Sequence, residues 1–426
     1  MDFVVSRSQE LIDVVVRVPG SKSVANRALV CAMLADGEST VSGVPDGDDT
    51  AVIVDVLRQT GALSGDNGTF VVRGRSTPTL PGIVDARLAG TSSRFLTAVA
   101  ALGVSSTVVD GDQPLRARPM ADLHEALRGL GAEVEPLGES GHLPAAVSRG
   151  SLRGGQVAVR GDVSSQFLSA LMLIAPLLDG GLTLGITGDL VSRSYVEMTA
   201  AVMRDFGASV SVGSNEIRVE AGRYRARTYE VEPDFSSAAF PLVVPVITPA
   251  RVRVPGLGRS SLQGDSRILG IVAEIGCRVS RDGDDVVVER SAHESTTALS
   301  LSMTDCSDLV PPVAVALSAV AGESRISGVG FIRRKESDRL NDLAREMSAC
   351  GASVSPDDDG LTIRGGRSVV DASVDTHHDH RLAMALSLMS LSGTRVVVHG
   401  AEVVSKSWPS YFEDMAGILT AQTSGN

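Results

Sequence analysis

Cysteine is scarce and scattered: Cys31, Cys277, Cys306 and Cys350 are the four in 426 residues, and no two share a CxxC or other metal-ligand spacing. They fit buried thiols in a reducing cytosol, with no metal expected. Long apolar runs are missing too. The longest, residues 167–178, falls short of the roughly 20 residues that cross a bilayer. The start, MDFVVSRSQE, lacks the basic region and apolar core of a signal peptide. Positive charge is in deficit, 39 Lys and Arg against 51 Asp and Glu, and the net charge of −12 speaks against nucleic acid or an anionic membrane as partner. A soluble, cytoplasmic protein is expected. A nucleotide P-loop is absent where one is first sought, because Ser21 rather than Gly precedes Lys22 in VPGSKSVANRALV.

That same stretch is where the positive reading begins. Pro19 and Gly20 break the preceding chain, and Ser21 or Ser23 can cap a helix running through Ala28, Leu29 and Val30. On such a helix Ser23 and Arg27 share one face, as do Lys22 and Asn26. A hydroxyl and two cations then converge beside unsatisfied backbone N–H groups, which makes an anion site.

Length predicts two or three domains, and 43% apolar residues suffice to bury their cores. A repeat organises them. The segments VLRQTGALSGDNGTFVVRG, EALRGLGAEVEPLG, AVMRDFGASVSVGSNEIRVE, IVAEIGCRVSRDGDDVVVER and EMSACGASVSPDDDGLTIRGG each read as a helix, a glycine turn and a hairpin. The turn glycines, Gly61, Gly131, Gly207, Gly276 and Gly351, recur at intervals of about 70 to 76 residues. One more interval places a truncated sixth copy at the end of the chain, and residues 1–18 form a strand-rich leader that must pair with something. Six α/β units fall into two sets of three, divided near residues 229–234. If the leader completes the second set, the chain crosses between domains twice, near 19–22 and near 229–234, and forms a hinge.

Residues fit for chemistry gather at helix starts. Gly90 in ARLAGTSSRFL permits close backbone approach. Arg116 and Arg118 precede Pro119, a pattern suited to a first helical turn. Ser164, Ser165 and Gln166 precede an apolar helix, and Ser192, Arg193 and Tyr195 take the same location further on. Asp308 heads another apolar helix, with Asp305 near enough in sequence to raise its pKa. Lys335, Glu336 and Arg339 fall together, His380 and Arg381 open a further helix, and Lys406 lies beside the single tryptophan. The run THHDHRL has metal-binding residue types, but no second ligand cluster accompanies it.

The segments VPGSKSVANRA, LAGTSSRF, RARPM, SSQFLSAL, VSRSYVEM, EPDFSSAAFP, KESDRL, DHRLAMAL and SKSWPSYF, in this order, resemble those of the 5-enolpyruvylshikimate-3-phosphate synthases, or 3-phosphoshikimate 1-carboxyvinyltransferases. The resemblance implies a two-domain inside-out α/β barrel, each domain holding three βαβαββ repeats with helix N-termini facing the interdomain cleft. Residues 20–233 would form the domain that binds shikimate 3-phosphate, and residues 1–19 with 234–426 the domain of phosphoenolpyruvate-binding cations and acid–base residues. The implied reaction moves the enolpyruvyl group of phosphoenolpyruvate to the 5-hydroxyl of shikimate 3-phosphate, a step toward chorismate and the aromatic amino acids, in a monomer that uses no metal or organic cofactor.

Carried over by motif, phosphoenolpyruvate would meet Lys22, Gly90, Arg118, Gln166, Arg339, Arg381 and Lys406. Shikimate 3-phosphate would meet Lys22, Ser23, Arg27, Ser164, Ser165, Gln166, Ser192, Asp308 and Lys335, with Tyr195 nearby. Asp308 resembles the family's proton acceptor and Glu336 its donor, and Lys22 joins the catalytic set. Glu336 stands beside Lys335 and Arg339, which should depress its pKa, so it is expected to become an acid only with both ligands bound. Leu88, Phe95 and Phe331 depart from the family pattern, where Asn, Pro and a polar residue are common. Gly90 is kept, which implies inhibition by glyphosate. A sister family transfers enolpyruvyl to UDP-N-acetylglucosamine through a loop cysteine, where this chain has Gln113. RNA 3′-phosphate cyclases share a related repeat but need a basic face, and an inert anion-binding protein would not need both proton-transfer residues.

Overall fold

The computed structural model describes residues 1–8 and 13–423, so residues 9–12 of the leader lie outside it. The described chain is α/β and divides into two compact units, Gly20–Val231 and Met1–Pro19 with Glu232–Asn426. Each is built from three four-stranded sheets, and all six sheets share one pairing rule: a parallel pair followed by two antiparallel pairs. In the first unit, for example, Thr228–Glu230 runs parallel to Gly37–Ser42, which pairs antiparallel with Thr69–Gly74, and that strand with Leu63–Asp66.

The leader supplies strands to two sheets of the second unit. Phe3–Arg7 lies antiparallel between Val396–His399 and Leu419–Thr423, with Val4 opposite Val397 and Gln422. Asp13–Val15 pairs parallel to Ala250–Val254. The sixth copy is short because its helix is only Tyr411–Asp414, and the chain's first strand fills the place its own second hairpin strand would take.

Two kinds of helix follow from two kinds of sequence. Ser165–Ile174 and Val310–Ser318 are almost wholly apolar and buried on nearly every side. Asp48–Gln59, Ala121–Gly129, Arg193–Asp205 and Arg339–Ala349 carry one apolar stripe, and the strands of a hairpin follow each. The glycine after each of these four helices, and after Ile268–Ile275, turns the chain with positive φ: 69° at Gly61, 94° at Gly131, 91° at Gly207, 126° at Gly276 and 89° at Gly351. A Cβ there would crowd the carbonyl before it, which glycine avoids.

The two units also share a tight approach of strand to helix end. A side chain at Gly74 would sit 2.0 Å from the Ala32 carbonyl oxygen, and one at Gly365 would sit 2.0 Å from that of Val320. Both glycines end a middle strand against the last turn of an inner helix, so the repeat extends to backbone packing.

His124, in Ala121–Gly129, is wholly buried, and among the described residues neither ring nitrogen has a hydrogen-bond partner. Burial first, then the nearby charges of Arg128 and His142, push its pKa from 6.5 down to about 4. The folded ring therefore stays neutral while the unfolded chain takes up a proton below pH about 6.5, so stability is full above that pH and declines as pH falls toward 4. His124→Leu should flatten this decline. In urea unfolding, the wild type should lose about 2 kcal/mol more than the variant between pH 7 and pH 5; parallel pH profiles would refute the assignment.

Candidate active site

In the unit Gly20–Val231 four helix starts bring the sequence-predicted residues to polar partners. Lys22 is the first residue of Lys22–Leu34. Ser21 takes the N-cap position, but its buried hydroxyl makes no capping bond. The Lys22 ammonium pairs with Asp49 Oδ2 at 2.8 Å, in the first turn of Asp48–Gln59, while Asp49 Oδ1 is buried with no hydrogen-bond partner among the described residues. Gly90 opens Gly90–Ala100, and a Cβ there would fall 2.8 Å from the terminal nitrogens of both Arg118 and Arg94. Glycine thus leaves room for two guanidinium groups at one helix tip. Arg94 donates to the Gly90 carbonyl at 2.7 Å and to that of Pro119 at 3.2 Å.

Ser164 caps Ser165–Ile174 by accepting from the Gln166 N–H, and the Gln166 side-chain amide donates to Thr91 Oγ1 at 3.0 Å, which ties two helix starts together. Ser192 sits at the N-cap of Arg193–Asp205 with φ of 54°, a left-handed conformation uncommon for a serine. Tyr195 follows in that helix, and its ring lies against the Arg27 guanidinium. Arg116 and Arg118 do not open a helical turn as their sequence suggests. Arg116 ends the short helix Gln113–Arg116 and forms a two-point ion pair with Asp110, and Arg118 occupies the bend before Ala121–Gly129.

The second unit gathers its residues into one ionic network. Asp308 lies in the 3-10 turn Ser307–Leu309 leading into Val310–Ser318. Its Oδ1 meets Arg339 at 2.9 Å and Lys335 at 3.8 Å, and its Oδ2 meets Arg381 at 2.8 Å. Glu336 is gripped from both sides, Oε2 by Arg339 at 2.7 Å and Oε1 by Lys406 at 2.9 Å. Arg339 opens Arg339–Ala349 and also binds Asp379 at 2.6 Å. Asp379 in turn caps His380–Ser387 by accepting from the Arg381 N–H at 2.9 Å. Lys406 is the last residue of the turn Ala401–Lys406. His380 and its neighbours take part in no potential metal cluster among the described residues.

The electrostatics reverse one expectation. The pKa of Asp308 is lowered, not raised as its sequence neighbour Asp305 suggests. Burial pushes the Asp308 carboxyl upward, but Arg381, Lys335 and Arg339 outweigh it and hold the group well below the usual carboxylate range. Burial also lowers Lys335, with Asp308 opposing the shift. Beside the network Asp265, buried and accepting from Ser236, is pushed up to about 7 by burial and then by the charge of Asp308. Lys335, Arg339, Arg381 and Lys406 against Asp308, Glu336 and Asp379 leave one positive charge in excess.

Motif reading missed Asp49, Arg94, Asp265 and Asp379, which hold or crowd the groups it found. One signal was available: of the chain's 39 lysines and arginines, three are lysine, Lys22, Lys335 and Lys406. All three lysines fall in these two clusters.

Repeated α/β units that present cations and hydroxyls at helix starts define a protein built to handle small anionic ligands. The sequence pattern of EPSP synthase (3-phosphoshikimate 1-carboxyvinyltransferase) matches residues 7–415. A 3-phosphoshikimate 1-carboxyvinyltransferase of Methanothermobacter thermautotrophicus is 38% identical over 420 residues, 98% of each chain. One from Shewanella halifaxensis is 35% identical, over 93% of this chain and 95% of its own. An EPSP synthase structure from Acinetobacter baumannii superposes with a TM-score of 0.84 at 24% identity, covering 99% of this chain and 100% of that one, and shares the fold. The chain belongs to the EPSP synthase family.

Proposed function

We propose that the protein transfers the enolpyruvyl group of phosphoenolpyruvate to the 5-hydroxyl of shikimate 3-phosphate. The observation that carries this reading is the ionic network of the second unit, in which each candidate proton-transfer carboxylate, Asp308 and Glu336, is held by at least two cations. An anionic substrate competes for those cations. When its phosphate and carboxylate take Arg339, Arg381 and Lys406, both carboxylates lose the charges that favour ionisation, and their proton affinity rises toward the working range.

The steps then balance. Asp308 accepts the proton of the 5-hydroxyl as its oxygen bonds to C2 of phosphoenolpyruvate, and Glu336 protonates C3, giving a tetrahedral ketal. Glu336, now a carboxylate, then takes a proton back from C3 as the C2–O bond to phosphate breaks, and phosphate leaves with the hydroxyl proton that Asp308 held, so the enol ether of shikimate 3-phosphate forms. Each positioned transfer contributes on the order of 100- to 10,000-fold. Cations on the phosphate stabilise the leaving group. Lys22, Ser23, Arg27, Ser164, Ser165, Gln166, Ser192 and Tyr195 would bind shikimate 3-phosphate, and Gly90, Arg118 and Gln166 would join the second unit's cations around phosphoenolpyruvate.

Phosphate release from phosphoenolpyruvate should require shikimate 3-phosphate as co-substrate. Release with UDP-N-acetylglucosamine or RNA ends in its place would overturn the reading. Glyphosate should compete with phosphoenolpyruvate, and Gly90→Ala should raise its inhibition constant at least tenfold, because the new methyl displaces the Arg118 and Arg94 nitrogens now 2.8 Å from that point. An unchanged constant would count against placing the ligand at this helix tip.

A further inference from the structure

Arg27 is 1% exposed, yet no carboxylate lies in ion-pair range of it among the described residues. A buried, unpaired cation is costly unless its surroundings replace water. Burial accordingly lowers its pKa to about 10. Hydrogen bonds supply part of the replacement. Nε donates to Thr199 Oγ1 at 2.7 Å, Nη1 to the Ser23 carbonyl at 2.7 Å, and Nη2 to Ser169 Oγ and the Tyr195 carbonyl, each at 3.3 Å. A guanidinium has five N–H groups, so one on Nη1 is left over.

Aromatic rings supply the rest. The Arg27 Cζ lies 5.3 Å from the centre of the Phe95 ring and 5.9 Å from that of Tyr195. The negative face of a ring attracts a cation most where water is excluded, and Phe95 is wholly buried. The rings come from different helices, Gly90–Ala100 and Arg193–Asp205, so together with Lys22–Leu34 and the Ser169 hydroxyl of Ser165–Ile174 four elements fix one guanidinium.

We propose that Phe95 is a positioning residue that, with Tyr195, cradles the Arg27 guanidinium so that it offers one directed N–H and an unneutralised charge to shikimate 3-phosphate. This rests on the reading above that Arg27 meets that substrate. A carboxylate in place of the ring would neutralise the charge the ligand needs. An aliphatic side chain would fill the space but leave the cation without electrostatic compensation. The ring holds the charge and leaves it available.

The test replaces Phe95 with phenylalanines carrying one, two and three ring fluorines, which drain the negative face while nearly preserving shape. Two readouts are taken: the calorimetric Kd for shikimate 3-phosphate, and hydrogen exchange of the Arg27 Nε–H by NMR in ligand-free protein. The Kd should weaken stepwise, reaching about 5- to 30-fold with three fluorines. Exchange should accelerate in the same order, while the KM for phosphoenolpyruvate at saturating shikimate 3-phosphate stays unchanged. A Kd and an exchange rate both flat across the series would overturn the cradle, since a purely space-filling ring predicts that result. If the wild type does not bind shikimate 3-phosphate, the proposed function fails, and the exchange series alone decides whether the ring acts on Arg27.

Discussion

Arg339 is 1% exposed and touches three carboxylates, Asp308, Glu336 and Asp379, that arrive from separate segments of the second unit. None of these groups can stand buried by itself. Removing one would leave an uncompensated charge, at a cost of about 3–5 kcal/mol in comparable buried pairs. The helices of this unit are therefore fixed at their N-termini by mutual neutralisation as well as by the apolar core beneath. The same bonds hold Asp308 ionised and grip the Glu336 carboxylate between two cations.

The first unit solves the complementary problem. Among the described residues Lys22 has Asp49, but Arg27 meets hydroxyls, carbonyls and two rings and no carboxylate. Positive charge without a resident anion is a poor way to stabilise a core and a good way to hold a phosphorylated ligand. Both candidate proton-transfer carboxylates, Asp308 and Glu336, lie in the second unit, while the cations proposed to hold the substrates come from both units. An overall charge of −12 does not oppose this, because the fields that matter are local.

Much of the fold could be read from the residues. The five turn glycines marked the repeat because only a left-handed φ closes a helix onto a hairpin there, and that requirement is local. The helix starts at Lys22, Gly90, Ser165 and Arg339 were legible for a similar reason. Partners were not. Asp308 was assigned a raised pKa from Asp305, its neighbour in sequence, whereas the charges that govern it come from Arg339 and Arg381, 31 and 73 residues away. Asp379 escaped notice because it sits beside two residues of more obvious function, and its two tasks, capping one helix and binding Arg339 at the head of another, depend on tertiary contact. The three lysines show that composition held a signal that motif reading passed over.

If substrate anions displace carboxylates from their cations, the state of Glu336 must depend on what is bound. The most direct measurement is the titration of its side-chain carboxyl, carbon-13 labelled and followed by NMR, in the free protein and with shikimate 3-phosphate and glyphosate both present. The displacement account predicts a carboxyl ionised throughout the neutral range when free, and a pKa raised by at least two units when both ligands occupy their places. A pKa that stays low with both ligands bound would contradict it.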